Sequence, residues 1–205
     1  MFLKVYSDSP SPRHLKIILE HLKEGGILIY PTDTVYGIGC DMHNSKAIDK
    51  LLQIIGKKPS EANLSIICSN LSNISEYTLP FENRIYKMMR KAFPGPYTFI
   101  LNANNKVPKI FNTNKKTVGI RVPENNLIRE IVEEYGNPIV TSSIKDVDDL
   151  IKYPTNPEEI QELYGNKVDL IIDGGPGGQI PSTIIDCTAE DVKVIRMGKG
   201  PVDIF

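Results

Sequence analysis

The segment GGILIYPTDTVYGIGC, residues 25–40, joins an apolar run to a loop of small and polar residues. Residues 27–30 are rich in β-branched side chains and are bounded by glycines and Pro31, which predicts a short buried strand rather than a helix. The polar side chains after Pro31 are Thr32, Asp33, Thr34 and Tyr36, followed by Gly37 and Gly39, which allow close backbone approach. Polar groups at a strand end often bind ligands, although a turn whose polar groups are bonded within the protein fits the same spacing.

The composition is that of an ordinary globular protein. The chain has 205 residues, 40% hydrophobic and 24% charged, enough for one domain over residues 1–205. The net charge of −1 argues against a globally basic nucleic-acid-binding surface but allows a local basic patch. No apolar run approaches the roughly 20 residues that span a membrane, and residues 1–8 lack a signal-peptide pattern. We therefore expect no membrane association and a cytoplasmic location.

The cysteines and histidines favour neither a disulfide framework nor a metal site. Cys40, Cys68 and Cys187 are odd in number, widely spaced and flanked by apolar residues, which predicts buried, reduced thiols. The chain has 3 histidines, too few for an obvious zinc site. His14 and His21 lie seven apart on the first predicted helix without a carboxylate or thiol partner in the pattern, so we expect both at the surface.

Hydrophobic periodicity divides the rest of the chain into helices and strands. Apolar residues at helical spacing predict helices over 12–24, 45–55, 81–91, 127–135 and 154–163. Short apolar runs predict strands over 64–68, 97–101, 118–122, 138–143, 168–172 and 192–196, with a polar loop or short helix over 106–116. Together they predict one α/β domain, a twisted mixed sheet with helices on its faces and an open polar concavity where strand ends gather.

Basic side chains occur at places that suit an anionic ligand. Arg121 points opposite to Ile120 and Val122 in its predicted strand, so it needs either a protein carboxylate or an anionic ligand. Lys57 and Lys58 follow a helix end, where they either meet a phosphate or are solvated. The glycine-rich turn over 173–178 lacks the lysine and the following helix of a phosphate-binding loop, so it predicts neither a P-loop nor a dinucleotide site.

Several motifs together resemble one family. PTDTVYGIGCD resembles the signature loop of the YrdC/YciO family, and further matches follow in chain order over nearly the whole chain. They are PGPYTFIL at 94–101, VGIRVP at 118–123, PIVTSS at 138–143, DLIIDGG at 169–175, PSTIIDCT at 181–188 and VIRMGKG at 194–200. The resemblance implies the YrdC-like fold with a concave basic cleft, and it is strongest to the YciO-like branch.

The resemblance also implies a function. Better-known members make threonylcarbamoyl-adenylate from ATP, bicarbonate and L-threonine for tRNA modification, which needs no covalent nucleophile. Magnesium would accompany ATP, held mainly by substrate oxygens. The residues implied to hold the amino acid are Thr32, Thr34 and Tyr36. The residues implied to hold the nucleotide and its phosphates are Lys57, Lys58, Arg121, Thr141, Ser143, Lys145, Ser182 and Arg196.

Three positions depart from the synthase pattern. Gly56 stands at the family's lysine and Lys145 at its asparagine, while Lys58 replaces an arginine and loses its planar fork. An ammonium only donates hydrogen bonds, so Lys145 cannot reproduce an amide, although it offers a phosphate contact in place of the charge lost at Gly56. The alternative function is a protein that binds double-stranded RNA or tRNA on the same basic face without synthase activity.

Overall fold

The computed structural model describes residues 1–5, 10–59, 61–62, 64–108, 116–145 and 153–203. Ten strands lie in this part of the chain: β1 Phe2–Lys4, β2 Leu28–Tyr30, β3 Gly37–Asp41, β4 Ser65–Ile67, β5 Tyr97–Asn102, β6 Thr117–Arg121, β7 Ile139–Ser143, β8 Leu170–Asp173, β9 Thr183–Asp186 and β10 Lys193–Arg196. The helices are α1 Pro12–Lys23, α2 Ser45–Ile54, α3 Asn83–Ala92, α4 Asn126–Tyr135 and α5 Pro157–Tyr164, with a 3-10 helix over Leu71–Glu76.

All these strands form one mixed sheet in the order β1-β8-β2-β3-β7-β4-β6-β5-β9-β10. The pairs β1/β8, β2/β8, β4/β6 and β5/β9 are parallel, and the pairs β2/β3, β3/β7, β4/β7, β5/β6 and β9/β10 are antiparallel. This confirms the predicted α/β class and the mixed sheet.

The sheet has an apolar core on each face. Side chains from α1 and α4 pack with Leu28 and Tyr30 on one face. Side chains from α2, α3 and α5 pack with Ile27 and Ile29 on the other. Alternate residues of a strand point to opposite faces, so a strand covered on both sides is apolar throughout. This is why residues 27–30 form an uninterrupted apolar run.

The main correction concerns the small-residue stretch after the signature loop. The sequence predicts a loop of small and polar residues from Pro31 to Cys40, but Gly37–Asp41 form β3, which pairs with β2 in a hairpin and with β7 on its other side. Glycine is depleted in strands, which explains the wrong expectation. Here it serves close packing, because a Cβ on Gly39 would lie 2.6 Å from the hydroxyl oxygen of Tyr30.

Several element bounds also differ from the sequence prediction. The last helix begins at Pro157 rather than 154, because Asn156 accepts a hydrogen bond from the Glu158 N–H and caps it. The start of α1 is as predicted, with Ser11 accepting from the His14 N–H. β1, β9 and the 3-10 helix were not predicted, and much of the loop expected over 106–116 lies outside the described residues.

The cysteines match their prediction, whereas the histidines do not. All three cysteines are buried and free. His14 and His21 are half-buried rather than at the surface. The Nε2 atom of His21 is buried and has no hydrogen-bond partner among the described residues. Helical spacing placed both histidines beside the apolar stripe but did not reveal what packs over them.

Candidate functional site

A polar cleft of about 240 Å³ opens at one end of the central strands. The strands that contribute to it are β4, β5, β6, β7, β9 and β10. Its lining is rich in basic and hydroxyl side chains: Lys57, Ser65, Thr98, Arg121, Thr141, Ser142, Ser143, Lys145, Tyr153, Ser182, Ile184 and Arg196. Such a lining suits an anionic ligand, because ammonium and guanidinium groups supply charge and hydroxyl groups supply directed hydrogen bonds.

The sheet register brings the hydroxyl residues together. Ser65 of β4 lies opposite Thr141 of β7 on one side and Gly119 of β6 on the other. Thr141 is buried, and its hydroxyl bonds at 2.8 Å to that of Tyr30 from β2. Burial raises the pKa of Tyr30, so this phenol keeps its proton at neutral pH. The cleft floor is therefore fixed by strands that are distant in the sequence.

The signature loop, residues 32–36, is bonded internally. The Thr32 hydroxyl donates to the carbonyl of Val35 at 2.7 Å and accepts from the N–H of Thr34 at 3.0 Å. The hydroxyls of Thr32 and Thr34 lie 3.0 Å apart. Since the proton of Thr32 goes to Val35, Thr34 donates to Thr32. The turn interpretation of these threonines is therefore the one that the structure supports.

Arg121 enters this network from β6. Its Nη2 atom donates to Asp33 Oδ1 at 3.1 Å and to Thr34 Oγ1 at 3.0 Å. The Arg121 and Asp33 side chains are 7% and 6% exposed, so the ion pair is buried. Burial lowers the pKa of Arg121, and Asp33 opposes that shift. The sequence left two possible partners for Arg121, a protein carboxylate and an anionic ligand. In the structure, the carboxylate of Asp33 is its partner.

The pair is incompletely bonded. Arg121 Nε and Asp33 Oδ2 are both buried without a hydrogen-bond partner among the described residues. A buried charged group that lacks a full set of partners is costly, and such groups concentrate at functional sites. Asp33, which was not among the predicted site residues, is therefore part of the candidate site.

Tyr36 connects the signature loop to the glycine-rich turn after β8. Its hydroxyl donates to the carbonyl of Gly175 at 2.7 Å and accepts from the N–H of Gly174 at 3.2 Å. Burial raises the pKa of Tyr36 to about 12, with the Gly174 hydrogen bond acting against it. A Cβ on Gly177 would lie 2.6 Å from the Tyr36 ring. Gly177 is thus needed so that this turn can pack against the aromatic ring.

Arg196 and Ser182 also line the cleft. Arg196 donates to the carbonyl of Ser182 from Nε at 3.1 Å and from Nη2 at 2.7 Å, and also from Nη2 to the Ser182 hydroxyl at 3.2 Å. The hydroxyls of Ser182 and Thr98 lie 2.8 Å apart. Burial lowers the pKa of Arg196. This arginine is held in position by the adjacent strand.

The remaining predicted phosphate-binding lysines are exposed. Lys57 and Lys145 line the cleft, whereas Lys58 lines a neighbouring surface pocket with Gly56 and Glu61. Of the eight residues predicted to hold the nucleotide and its phosphates, the structure thus brings seven to one cleft and leaves Lys58 outside it. Gly56 has a positive φ of 64°, and a Cβ added to it would meet no atom within 4 Å.

The described residues contain neither a metal-binding cluster nor a membrane span. No group of three or more His, Cys, Asp or Glu side chains suited to a metal ion occurs among them. No helix in this part of the chain is long and apolar enough to cross a membrane.

A family model named Sua5/YciO/YrdC, described as telomere recombination, matches residues 20–198. The chain belongs to this family. Within the Sua5/YciO/YrdC family it is 34% identical over 205 residues to YciO of Escherichia coli, covering 100% of this chain and 98% of that protein. It is 30% identical over 189 residues to a threonylcarbamoyl-AMP synthase of Vibrio vulnificus, covering 90% of this chain and 98% of the synthase.

Solved structures of this family share the fold. The crystal structure of E. coli YciO superposes with a TM-score of 0.93 at 33% identity, covering 100% of this chain and 98% of that one. P. abyssi Sua5 complexed with L-threonine superposes with a TM-score of 0.91 at 23% identity, covering 99% of this chain and 59% of that one. The second likeness shows the fold alone. Both agree with a single-domain α/β architecture and an open mixed sheet.

Sequence reasoning missed several contributors to the site: Asp33, Tyr30 and the lining residues Ser65, Thr98, Ser142, Tyr153 and Ile184. Asp33 stands in the signature loop, but nothing in its spacing indicates that its carboxylate turns inward to Arg121. Tyr30 belongs to an apolar run in the sequence, although its hydroxyl fixes Thr141. Thr98 alternates with the apolar residues Tyr97 and Phe99, and that polar position in a buried strand was an available signal.

Proposed function

We propose that this protein is an enzyme that combines bicarbonate and L-threonine into a carbamate and joins that carbamate to the adenylyl group of ATP. The products would be threonylcarbamoyl-AMP and pyrophosphate, for use in tRNA modification. The observation that carries the proposal is the cleft, where four basic and several hydroxyl side chains from distant parts of the chain converge. The match to the Vibrio vulnificus synthase covers 98% of the length of that synthase, which supports the same class of reaction for this chain.

The reaction needs positioning and charge neutralisation rather than a protein nucleophile. The carbamate formed from bicarbonate and the threonine amine attacks the α-phosphate, and pyrophosphate leaves with the electron pair of the broken P–O bond. Negative charge on the phosphoryl oxygens would be met by Lys57, Lys145 and Arg196, with Ser143 and Ser182 donating hydrogen bonds. Mg²⁺ would enter with ATP, held mainly by its phosphate oxygens.

The amino acid would lie against the signature loop. The Thr34 and Tyr36 hydroxyls already have partners within the protein, so their part would be to hold the shape of the loop. Thr32 is half-buried, and its hydroxyl is bonded within the loop in the same way. Arg121 lines the cleft while bonded to the loop, which suits a group that meets the acid function of the ligand.

Lys145 would replace part of the charge that the family's lysine supplies at the position of Gly56. It lines the cleft at its exposed rim, and its backbone carbonyl accepts a hydrogen bond of 2.6 Å from the Tyr164 hydroxyl. That bond ties the end of the strand to α5. The lysine would contact a phosphate rather than read the base, because an ammonium offers no acceptor.

The decisive experiment is pyrophosphate release with ATP, bicarbonate and L-threonine present together. We expect release that stops when any one of the three is omitted, and separate calorimetric titrations that show binding of ATP and of L-threonine. Pyrophosphate release independent of threonine, or binding of neither ligand, would overturn the proposal.

The double variant Lys145→Asn with Gly56→Lys sharpens this test. It recreates the family's amide and restores at residue 56 the charge that is removed at residue 145, and we expect roughly a tenfold gain in threonine-dependent rate over the parent, on the scale of one hydrogen bond made in the transition state. A side chain at the positive φ of residue 56 costs about 1 kcal/mol, although the space there is open. If the parent releases no pyrophosphate and the double variant gains no activity while both bind ATP, the parent has a different function.

RNA binding is the second candidate. The observation in its favour is that Lys57, Lys58 and Lys145 are all exposed in or beside the cleft, as contact with a phosphate backbone would require. Double-stranded RNA and tRNA should then bind with an affinity that falls steeply as salt is raised. Retention of that binding without pyrophosphate release would favour this function over synthesis.

A further inference from the structure

Donors from two later segments hold the backbone of the signature loop. Lys199 Nζ donates to the carbonyl of Asp33 at 2.5 Å, and the N–H of Gly178 donates to the carbonyl of Thr34 at 2.8 Å. The side chains of the same two loop residues both meet Arg121. The carbonyls are therefore held by one set of donors while the side chains are held by another.

The peptide unit between Asp33 and Thr34 is restrained at both of its polar atoms. Its carbonyl accepts from Lys199, and its N–H donates to the Thr32 hydroxyl at 3.0 Å. A peptide unit is planar, so fixing both atoms fixes its orientation. That orientation sets the direction in which the Asp33 and Thr34 side chains leave the backbone.

Lys199 is carried by a firmly packed piece of chain. Its N–H donates to the carbonyl of Pro181 at 2.8 Å, and the N–H of Gly198 donates to the Thr183 hydroxyl at 3.0 Å. A Cβ on Gly200 would lie 2.6 Å from an atom of the Tyr97 ring, so only glycine fits there without displacement. The lysine backbone is thus anchored while its side chain reaches the loop across the surface.

We propose that Lys199 is a positioning residue for the amino-acid end of the site. By holding the Asp33 carbonyl, it keeps the Asp33 and Thr34 side chains turned inward to Arg121. The effect on substrate rests on the proposed function, whereas the effect on the loop does not. A charge-assisted hydrogen bond to a neutral carbonyl supplies orientation without competing with the phosphate-binding cations of the cleft.

The test compares Lys199→Met with Lys193→Met and Lys199→Arg. Lys193 is an exposed residue of β10 in the same part of the chain, so its variant removes one equal charge. The first readout is hydrogen exchange at the Thr34 amide in the protein without substrate. We expect exchange to be faster by about tenfold in Lys199→Met, near the parent rate in Lys193→Met, and largely restored in Lys199→Arg. An unchanged Thr34 exchange rate in Lys199→Met would overturn the proposal.

The second readout is ligand binding by calorimetry. We expect Lys199→Met to weaken L-threonine binding by about threefold to tenfold and to leave ATP binding and the melting temperature near the parent values. Equal weakening of both ligands, or a threonine affinity equal to the parent's, would overturn the positioning role. A parent that does not bind threonine would overturn the proposed function instead, and the exchange measurement would still decide whether Lys199 orients the loop.

Discussion

The signature loop and the lysine segment over 56–59 are both implied to bind substrate, but they are built in opposite ways. In the loop, Thr34 is 1% exposed, and its hydroxyl bonds to Thr32 and Arg121. In the lysine segment, Lys57 and Lys58 are exposed, and Gly56 adopts a left-handed conformation. The loop is organised by buried side-chain hydrogen bonds before any ligand arrives, whereas the lysine segment carries exposed charges on a hydrogen-bonded backbone.

This contrast indicates where the protein tolerates change. The departures at Gly56, Lys58 and Lys145 from the synthase pattern all fall on exposed positions at or near the cleft rim. A substitution there changes binding with little effect on stability, because it leaves no buried group unpaired. A substitution in the loop network that leaves a buried charge unpaired lowers the free energy of unfolding by a larger amount.

Arg121→Ala should have the largest effect. It leaves Asp33 buried without its counter-charge, so we expect the free energy of unfolding to fall by about 3–5 kcal/mol, measured by urea denaturation.

The matched control for Arg121→Ala is the double variant with Asp33→Ala. It removes both charges, and we expect it to recover part of the lost stability, since no uncompensated carboxylate remains. If Arg121→Ala unfolds at the same urea concentration as the parent, the ion pair is not structural and the contrast between the two regions fails.

Thr34→Val should have the next largest effect. The change keeps the shape of the side chain but removes an acceptor from Arg121 Nη2, and we expect a loss of about 1–3 kcal/mol in the free energy of unfolding. Thermal denaturation followed by circular dichroism would measure it. A stable variant with weakened threonine binding would instead assign the hydroxyl directly to the substrate.

Lys57→Met and Lys58→Met test the other region as a pair. Lys57 lines the cleft and Lys58 does not, although the two are adjacent and equally charged. We expect Lys57→Met to weaken ATP binding by about threefold to tenfold and Lys58→Met to change it by less than about twofold, with both melting temperatures near that of the parent. Equal losses would mean that only net charge matters at this rim.

The cysteines report whether the hairpin of β2 and β3 and the strands around it stay closed in the native protein. Burial raises the pKa of Cys40 to about 12, and it raises the pKa of Cys68 and of Cys187 likewise to about 12. A raised pKa means less thiolate, so at pH 8 alkylation in the native protein should be at least about a hundredfold slower than in denaturant. Rapid labelling of Cys40 alone would show that the hairpin after the signature loop opens.

Much of this fold could be predicted from local pattern. Helical spacing with capping residues located α1, α2 and α4 within a few residues, and apolar runs located most of the central strands. β3 was missed because two of its five residues are glycines, whose strand conformation is set by the neighbours on either side. The place of β3 in the sheet was therefore set by its tertiary pairing with β2 and β7.

The candidate site divides in the same way. The sequence by itself determined which groups are available, because motifs spread over nearly the whole chain indicated the family and most of the cleft residues. Only the tertiary structure decided that Asp33 meets Arg121, a pair separated by 88 positions, and that Lys58 lies outside the cleft that Lys57 lines. The physical reason is that residue type fixes what a side chain can bond to, whereas strand order and register fix which partner lies within reach.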